Sequence, residues 1–246
     1  MSEDARADAR LARAELDRLL ADRPGALPRG LGDALEHYVA LLLEANTSLN
    51  LTRVVEPAAV ARLHLLDALA ALPLIDELDP ERALDLGAGG GVPGIVLALA
   101  RPRVRWTMVD SVGRKADVLR AIAGELGLGN VEVIAERAEL LGRGPARESF
   151  DLVTARACAA LPVLAEYALP LLAIGGTLVA WKGLISGDEL ADGAAAAAVL
   201  GGGLPDVRPT GEAALGEHRF VIVPKVGATP DRYPRRPGQP ARRPLP

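Results

Sequence analysis

One stretch of eleven residues, Leu84 to Gly94, constrains this chain more than any other: Leu-Asp-Leu-Gly-Ala-Gly-Gly-Gly-Val-Pro-Gly. An apolar strand end that runs into a glycine-rich turn and restarts as a helix-compatible segment is a β-to-α junction of the kind that opens a βαβ unit. Asp85, Gly87, Gly89 and Gly91 form D-x-G-x-G-x-G, the pattern of S-adenosylmethionine (SAM) enzymes, where glycines without Cβ let the backbone lie against the methionine and ribose of the ligand. Gly89, Gly91 and Gly94 also spell G-x-G-x-x-G, so the string equally fits a nicotinamide-cofactor turn, and a purely structural turn has the same composition.

The residues around the loop narrow the choice. Arg103 to Val109 reads as a second strand ending in Asp110, and an acid at that tip can accept hydrogen bonds from the ribose hydroxyls of either cofactor. Asp85 discriminates. Two residues before the first glycine a dinucleotide fold carries an apolar residue, because a carboxylate there would face and repel a pyrophosphate. SAM has a sulfonium, an ammonium and no phosphate, so these residues favour a methyltransferase over a dehydrogenase.

The rest of the chain supplies the units such a fold needs. Helical periodicity predicts helices over residues 2–20, with Leu11, Leu16, Leu19 and Leu20 on one side, and over Leu31 to Glu44, with a break at Pro24 to Pro28. A third helix is expected after Pro57, carrying Val60, Leu63, His64 and Asp67. Strands then alternate with helices: Arg82 to Leu86, Arg103 to Asp110, Val131 to Ala135, Phe150 to Thr154, Thr177 to Trp181 and Phe220 to Val223. The intervening helices start at Pro93, Ser111, Glu139, Leu161 and Asp188. This is an α/β pattern with a mostly parallel, doubly wound, Rossmann-like sheet. It divides the chain into an N-terminal helical extension packed on the core (1–80), a SAM-binding domain (81–226) and a basic proline-rich tail (227–246). The binding crevice belongs at the carboxyl ends of the strands, where the loops at Gly87, Asp110, Ala138 and Arg156 fall.

Composition sets limits. Half of the 246 residues are apolar, but only two Phe, three Tyr and two Trp are present, so the core must be built from Ala, Leu and Val. The one cysteine, Cys158, allows no intramolecular disulfide, which fits a reducing cytoplasm. No apolar stretch reads as a membrane span, and the acidic Glu3 and Asp4 are unlike a signal peptide. The net charge of −4 is uneven: the segment from Lys225 onward is +5, leaving −9 for the remainder. That segment is expected to be extended, with its guanidinium groups in solvent and available to phosphates.

With these motifs in order, the chain resembles the bacterial small-subunit rRNA methyltransferase G family, also called glucose-inhibited division protein B. The likeness rests on Asn50-Leu-Thr, His64-Leu-Leu-Asp67, the Leu84 to Gly94 loop, Val109-Asp-Ser with Arg114-Lys115, Arg137-Ala-Glu139, Val153-Thr-Ala-Arg-Ala157, Trp181-Lys-Gly183 and the tail pattern Tyr233-Pro-Arg235, Gly238-Gln-Pro240, Arg243-Pro-Leu245. The resemblance implies methyl transfer from SAM to N7 of a guanine in 16S rRNA or the small ribosomal subunit by a monomeric enzyme. It places cofactor contacts on Gly87, Val92, Ala138, Glu139 and Arg156, beside the Asp110 read from the strand tip. The chain departs from the family at Val92, where many members carry an aromatic, and at Ala68, where many carry Ser. A glycine- and alanine-rich stretch, Asp192 to Gly203, looks loose against the pattern.

The residues agree with N7 chemistry. Guanine N7 has an in-plane lone pair and no proton to lose, so transfer needs alignment and no general base. The loop after the fourth strand is Thr154-Ala-Arg-Ala157, unlike the Asn/Asp-Pro-Pro-Tyr loop of amino-group methyltransferases. Cys158 lacks the Pro-Cys or Thr-Cys setting of cytosine-C5 enzymes and reads as a packed cysteine. His37, His64 and His218 show no ligand spacing, so no metal site is expected. His64 and Asp67 share a helix face, as a surface pair or as part of the cleft. Arg114, Lys115 and Arg120 read as solvated charge, and Lys182 as an RNA contact. A SAM-dependent small-molecule methyltransferase is the alternative, favoured by the acidic body.

Overall fold

The computed structural model describes residues 1–21 and 27–245, so the Pro24 end of the expected helix break and Pro246 lie outside the described residues. The chain opens with α1 (Glu3–Leu20) and α2 (Leu31–Asn46). Ser2 caps α1 by accepting a hydrogen bond from the Ala5 N–H, satisfying a donor that a helix start leaves free. The buried stripe of α1 is Ala5, Ala9, Ala12 and Leu16, whereas Leu11, expected on that side, is 60% exposed. The three alanines, at 4-3 spacing, bring α1 close to its neighbours, a packing that leucine would hold off.

A helical run follows, made of α3 (Pro57–Val60), a π-helical stretch Ala61–Leu66, α4 (Asp67–Leu69) and α5 (Leu72–Leu78). Contrary to the sequence expectation, Pro57–Leu78 has the length and apolarity of a membrane span. It serves as a core element here: 72% of its most apolar window is buried inside the fold, and it carries the buried polar residues His64 and Asp67. The wider π turn sits at His64, and such turns commonly re-aim side chains at functional sites.

The sheet follows: β1 (Arg82–Leu86), α6 (Gly94–Ala100), β2 (Arg105–Asp110), α7 (Gly113–Glu125), β3 (Val131–Ala135), α8 (Ala138–Leu141), β4 (Phe150–Arg156), α9 (Leu161–Ala168), β5 (Leu172–Lys182), α10 (Gly187–Val199), β6 (Asp206–Pro209) and β7 (Arg219–Pro224). The strand order is β3-β2-β1-β4-β5-β7-β6. The first five strands pair in parallel, and β7 runs antiparallel between β5 and β6. The order reverses between β1 and β4, so a crevice opens at their carboxyl ends. Sequence patterning missed β6, a short edge strand with one apolar residue, Val207. It also placed the start of β5 at Thr177, five residues late; a 3-10 turn over Leu169–Leu171 separates α9 from β5.

Apolar layers cover both faces. One joins Leu35, Tyr38, Leu42 and Leu65 of the N-terminal helices to Ile95 and Trp106. The other joins Leu84 and Val153 to Leu161, Leu164, Ala196 and Ala197. Most of the stretch that fits the family pattern loosely belongs to the expected helix, α10, which is packed on α9 so tightly that a Cβ at Gly193 would lie 2.3 Å from a methyl of Leu161.

The C-terminal tail is also unlike the sequence expectation. It turns back over the second layer, contains α11 (Gln239–Arg242), and buries Tyr233 and Pro240. Arg235 is no solvent-facing guanidinium. Its Nη2 lies 2.5 Å from Glu166, a fully buried carboxylate that also accepts from the Arg235 N–H at 2.7 Å. Arg147 donates to the carbonyls of Thr229 and Tyr233, at 2.6 and 2.8 Å. Buried charge of this kind requires partners, and the chain returns to supply them.

Candidate active site

The glycine loop between β1 and α6 is built on backbone bonds: Gly87 and Ala88 both donate to the carbonyl of Val109, at 2.9 Å each, tying the loop to β2. From α2, the buried Tyr38 hydroxyl donates to the carbonyl of Gly90 at 2.9 Å. Asp110 at the tip of β2 accepts from the Gly89 N–H (3.0 Å) and the Val112 N–H (2.8 Å), one bond per oxygen, which leaves acceptor capacity on each for ribose hydroxyls.

Asp85 does something other than face the ligand. It is fully buried, accepting from the Thr154 hydroxyl at 2.8 Å and from the Gly94 N–H at 3.0 Å. Burial pushes its carboxyl up to about 7, against the pull of those two donors and of Arg156. The discriminating role given to Asp85 from sequence is therefore corrected: the carboxylate ties β1 to β4 and to the start of α6, setting the shape of the loop rather than its field.

Two spaces meet at Gly87. A cleft of about 650 Å³ is lined by Gly87, Val92, Asp110 and Arg156 together with Thr52, His64, Asp67, Lys182 and His218. A smaller pocket of about 200 Å³ is lined by Gly87, Ala138, Glu139, Arg137, Cys158 and Tyr167. Gly87 has φ +72, and a Cβ on it would meet the Cys158 sulfur at 3.1 Å, so this position favours glycine both by conformation and by space. The obstacle is Cys158, where sequence reasoning expected only the ligand. Side by side at Gly87, the two spaces suit an extended cofactor with a nucleoside at one end and a charged amino-acid group at the other. A larger groove of about 920 Å³ lies away from this loop, and most of its charges are paired internally, Arg13 with Asp17 and Asp33, and Arg101 with Asp76.

All six residues expected at the cofactor line one or other space, but two are held in ways the sequence did not show. Glu139 is buried, and its carboxylate accepts from Arg137 and from the tail's Gly238 N–H, both at 2.8 Å. Burial raises its pKa, but these donors outweigh it and the net shift is downward. Arg156 donates from Nη1 to the carbonyl of Leu63 (2.5 Å) and toward Asp67 (3.5 Å), and its Nη2 lies 3.3 Å from His64 Nδ1. Lys182, expected to contact RNA, is bound to the carbonyl of Ala159 and to Glu189, both at 2.8 Å. Of the helix α7 charges, Lys115 lines the cleft, while Arg120 pairs with Asp117 on the surface.

His64 and Asp67 belong to the cleft and do not pair with each other. His64 Nε2 lies 2.9 Å from Thr52 Oγ1, and Asp67 Oδ1 lies 2.9 Å from His218 Nδ1. Burial, reinforced by Arg156, pushes the His64 imidazole down to about 4, so it is neutral at physiological pH. Sequence reasoning missed Thr52 and His218 as site residues. Asn50-Leu-Thr was a signal for the first; His218 had none, since its partner lies 151 residues away. Cys158 is exposed to solvent, yet desolvation by its surroundings, with the charges of Asp85, Asp110 and Glu139, pushes its thiol up to about 11. A thiol in that state is a poor nucleophile.

The family model for rRNA small subunit methyltransferase G matches residues 32–212. A protein of Pelotomaculum thermopropionicum named ribosomal RNA small subunit methyltransferase G is 42% identical over 212 residues, covering 85% of this chain and 89% of its own length. A protein of Deinococcus radiodurans with the same name is 46% identical over 210 residues, covering 84% and 83%. The fold is shared with the O-methyltransferase TomG of Streptomyces achromogenes, solved in complex with SAM, at a TM-score of 0.53 and 17% identity over 86% of this chain and 96% of that one. A model match over most of the chain, with relatives above 40% identity along nearly their whole length, decides the matter: this chain is a SAM-dependent methyltransferase and belongs to the rRNA small subunit methyltransferase G family.

Proposed function

We propose that the protein transfers a methyl group from SAM to N7 of a guanine in 16S rRNA of the small ribosomal subunit. The observation that carries this reading is the pair of spaces that share Gly87: Ala138 and Glu139 line the smaller one, and Val92, Asp110 and Arg156 line the cleft, which supports a cofactor lying across Gly87 with its methyl toward the cleft. SAM bound there supplies an electrophilic methyl on a sulfonium. The protein's part is alignment. The acceptor atom has a free lone pair, so Gly87 and Asp110 orient the donor, Thr52, Arg156 and His218 wall the acceptor side, and no residue has to remove a proton before transfer. The raised thiol of Cys158 supports direct displacement over a covalent enzyme-base intermediate.

The cleft is assembled within one chain, which supports action as a monomer, and an rRNA target agrees with a cytoplasmic site. The test is transfer of labelled methyl from SAM to small subunits isolated from bacterial cells lacking this modification, followed by mass mapping of the rRNA. A single 7-methylguanine is expected. Labelling of a metabolite extract with none in the subunits would instead favour the small-molecule reading, which the acidic body of the chain still motivates.

A further inference from the structure

Five cleft residues form one continuous hydrogen-bond chain whose proton positions are dictated from its middle. Arg156 has only donors, so His64 Nδ1, 3.3 Å from its Nη2, must accept. The His64 proton is then on Nε2, which donates to Thr52 Oγ1 at 2.9 Å, and the downward shift of the imidazole to about 4 keeps it in this neutral form. Thr52 Oγ1 also accepts from the Val54 N–H at 3.0 Å. With both lone pairs of the hydroxyl taken, its own hydrogen can only be donated outward.

In the other direction Arg156 Nη1 faces Asp67 Oδ2 at 3.5 Å, and the buried Asp67 carboxylate can only accept. It therefore holds the Nδ1–H of His218, at 2.9 Å. In its neutral form the imidazole carries a lone pair on Nε2, across the ring from Asp67, on a residue that lines the cleft. The chain ends in one obligatory donor, Thr52, and, with the imidazole neutral, one acceptor, His218.

We propose that these two ends read the acceptor base: Thr52 donates to O6 and His218 accepts from N1–H of guanine, with His64, Arg156 and Asp67 as positioning residues that fix their polarity. This rests on the guanine-N7 reading and extends it to base choice. O6 and N1–H are adjacent, O6 is also next to N7, and adenine presents the opposite order, an amino donor beside an N1 acceptor. Adenine would face donor to donor and acceptor to acceptor. The N1–H contact also strengthens during reaction, because methylation places positive charge on the purine and makes N1–H more acidic, so a neutral acceptor binds the transition state better than the ground state. His218 lies beyond residues 32–212, the span of the family match, so this end of the chain is not part of the family's matched pattern.

The test uses small subunits reassembled on rRNA carrying guanine, inosine or 2-aminopurine at the position identified by mass mapping, assayed at alkaline pH so that free imidazoles are neutral. Inosine keeps O6 and N1–H, and 2-aminopurine keeps N7 but has neither. With the wild-type protein, kcat/KM on inosine is expected within a few-fold of guanine, and on 2-aminopurine at least tenfold lower. Thr52→Val and His218→Asn, the latter keeping a donor toward Asp67, should each lower the rate on guanine severalfold and leave 2-aminopurine nearly unchanged, so the gap closes. Thr52→Ser should restore it. SAM affinity and melting temperature report whether each variant is folded. Equal wild-type rates on guanine and 2-aminopurine overturn the proposal without recourse to any variant, as does a full gap in both folded variants. Absence of transfer to the guanine subunit by the wild-type protein would instead defeat the functional reading itself.

Discussion

At the residue scale, Arg156 and Cys158 stand two positions apart after β4 and differ in what their removal should do. Cys158→Ala deletes a thiol held protonated, and methyl transfer is expected to stay within a few-fold of wild type. Arg156→Ala removes donors to the carbonyl of Leu63, His64 and Asp67. A charge-assisted hydrogen bond contributes roughly 1.5–3 kcal/mol, so SAM affinity and transfer should fall about tenfold to over a hundredfold, with a lower melting temperature. Isothermal calorimetry and single-turnover rates would rank the two variants; the reverse order would revive covalent chemistry at Cys158. Asp85 supplies a second prediction. Its carboxyl is raised from an ordinary value near 4 to about 7 on folding, so the folded state holds the proton more tightly. The stability this contributes is fully present below about pH 4 and is lost as pH rises toward 7, on the order of 4 kcal/mol. Asp85→Asn has no proton to lose, so its stability relative to wild type should climb between pH 5 and 8 in urea titrations. A constant difference across that range would mean that Asp85 is not desolvated as described.

At the scale of elements, α2 acts as a prop for the cofactor loop. Tyr38 reaches the carbonyl of Gly90, and a Cβ on Gly90 would lie 2.7 Å from a methyl of Leu42, so helix and loop are in contact over both polar and apolar atoms. Tyr38→Phe keeps the ring and leaves a buried carbonyl without its donor, a change that costs about 1–3 kcal/mol. Both the melting temperature and SAM affinity should drop, because the unpaired carbonyl belongs to the loop that receives the ligand. A loss of stability with SAM affinity intact would show that α2 supports the fold and not the site. Much of this scale was legible in the sequence. β1 and β3 were placed at their observed limits because each is a short apolar run bounded by turn residues. β6 was not, since a short edge strand without a buried residue has little pattern to show, and in α1 the leucine pattern locates Leu16, Leu19 and Leu20 against the core but not Leu11, nor the buried alanines beside them.

For the whole molecule, the tail links the smaller pocket to the second apolar layer. Gly238 donates to Glu139 at the edge of the smaller pocket, and Arg235 neutralises the buried Glu166. Deleting residues 231–246 should therefore weaken SAM binding and lower the melting temperature as well as weakening RNA binding, where an extended tail would affect RNA alone. Arg236, Arg242 and Arg243 are exposed and remain available to phosphates. Replacing these three with Gln should leave SAM affinity unchanged, weaken binding to the subunit, and make the slope of log K against log salt shallower by about 2 to 3. An unchanged slope would leave the tail with a structural role only.

The sequence by itself determined whatever depends on neighbours along the chain: the strand-turn-helix around Gly87, the acid at the tip of β2, the alternation that makes a parallel sheet, and hence the crevice at its carboxyl edge. Those features are local because backbone conformation and side-chain periodicity are local. Only the tertiary structure decided which polar groups meet. Asp67 and His218, His64 and Arg156, Glu139 and Gly238 come together because the sheet and the returning tail bring distant segments within hydrogen-bond reach, and burial then obliges each group to take a partner. The same burial turned Asp85 from a carboxylate facing a ligand into one that shapes the loop, since its direction depends on the strands beside it and not on the glycines that follow it.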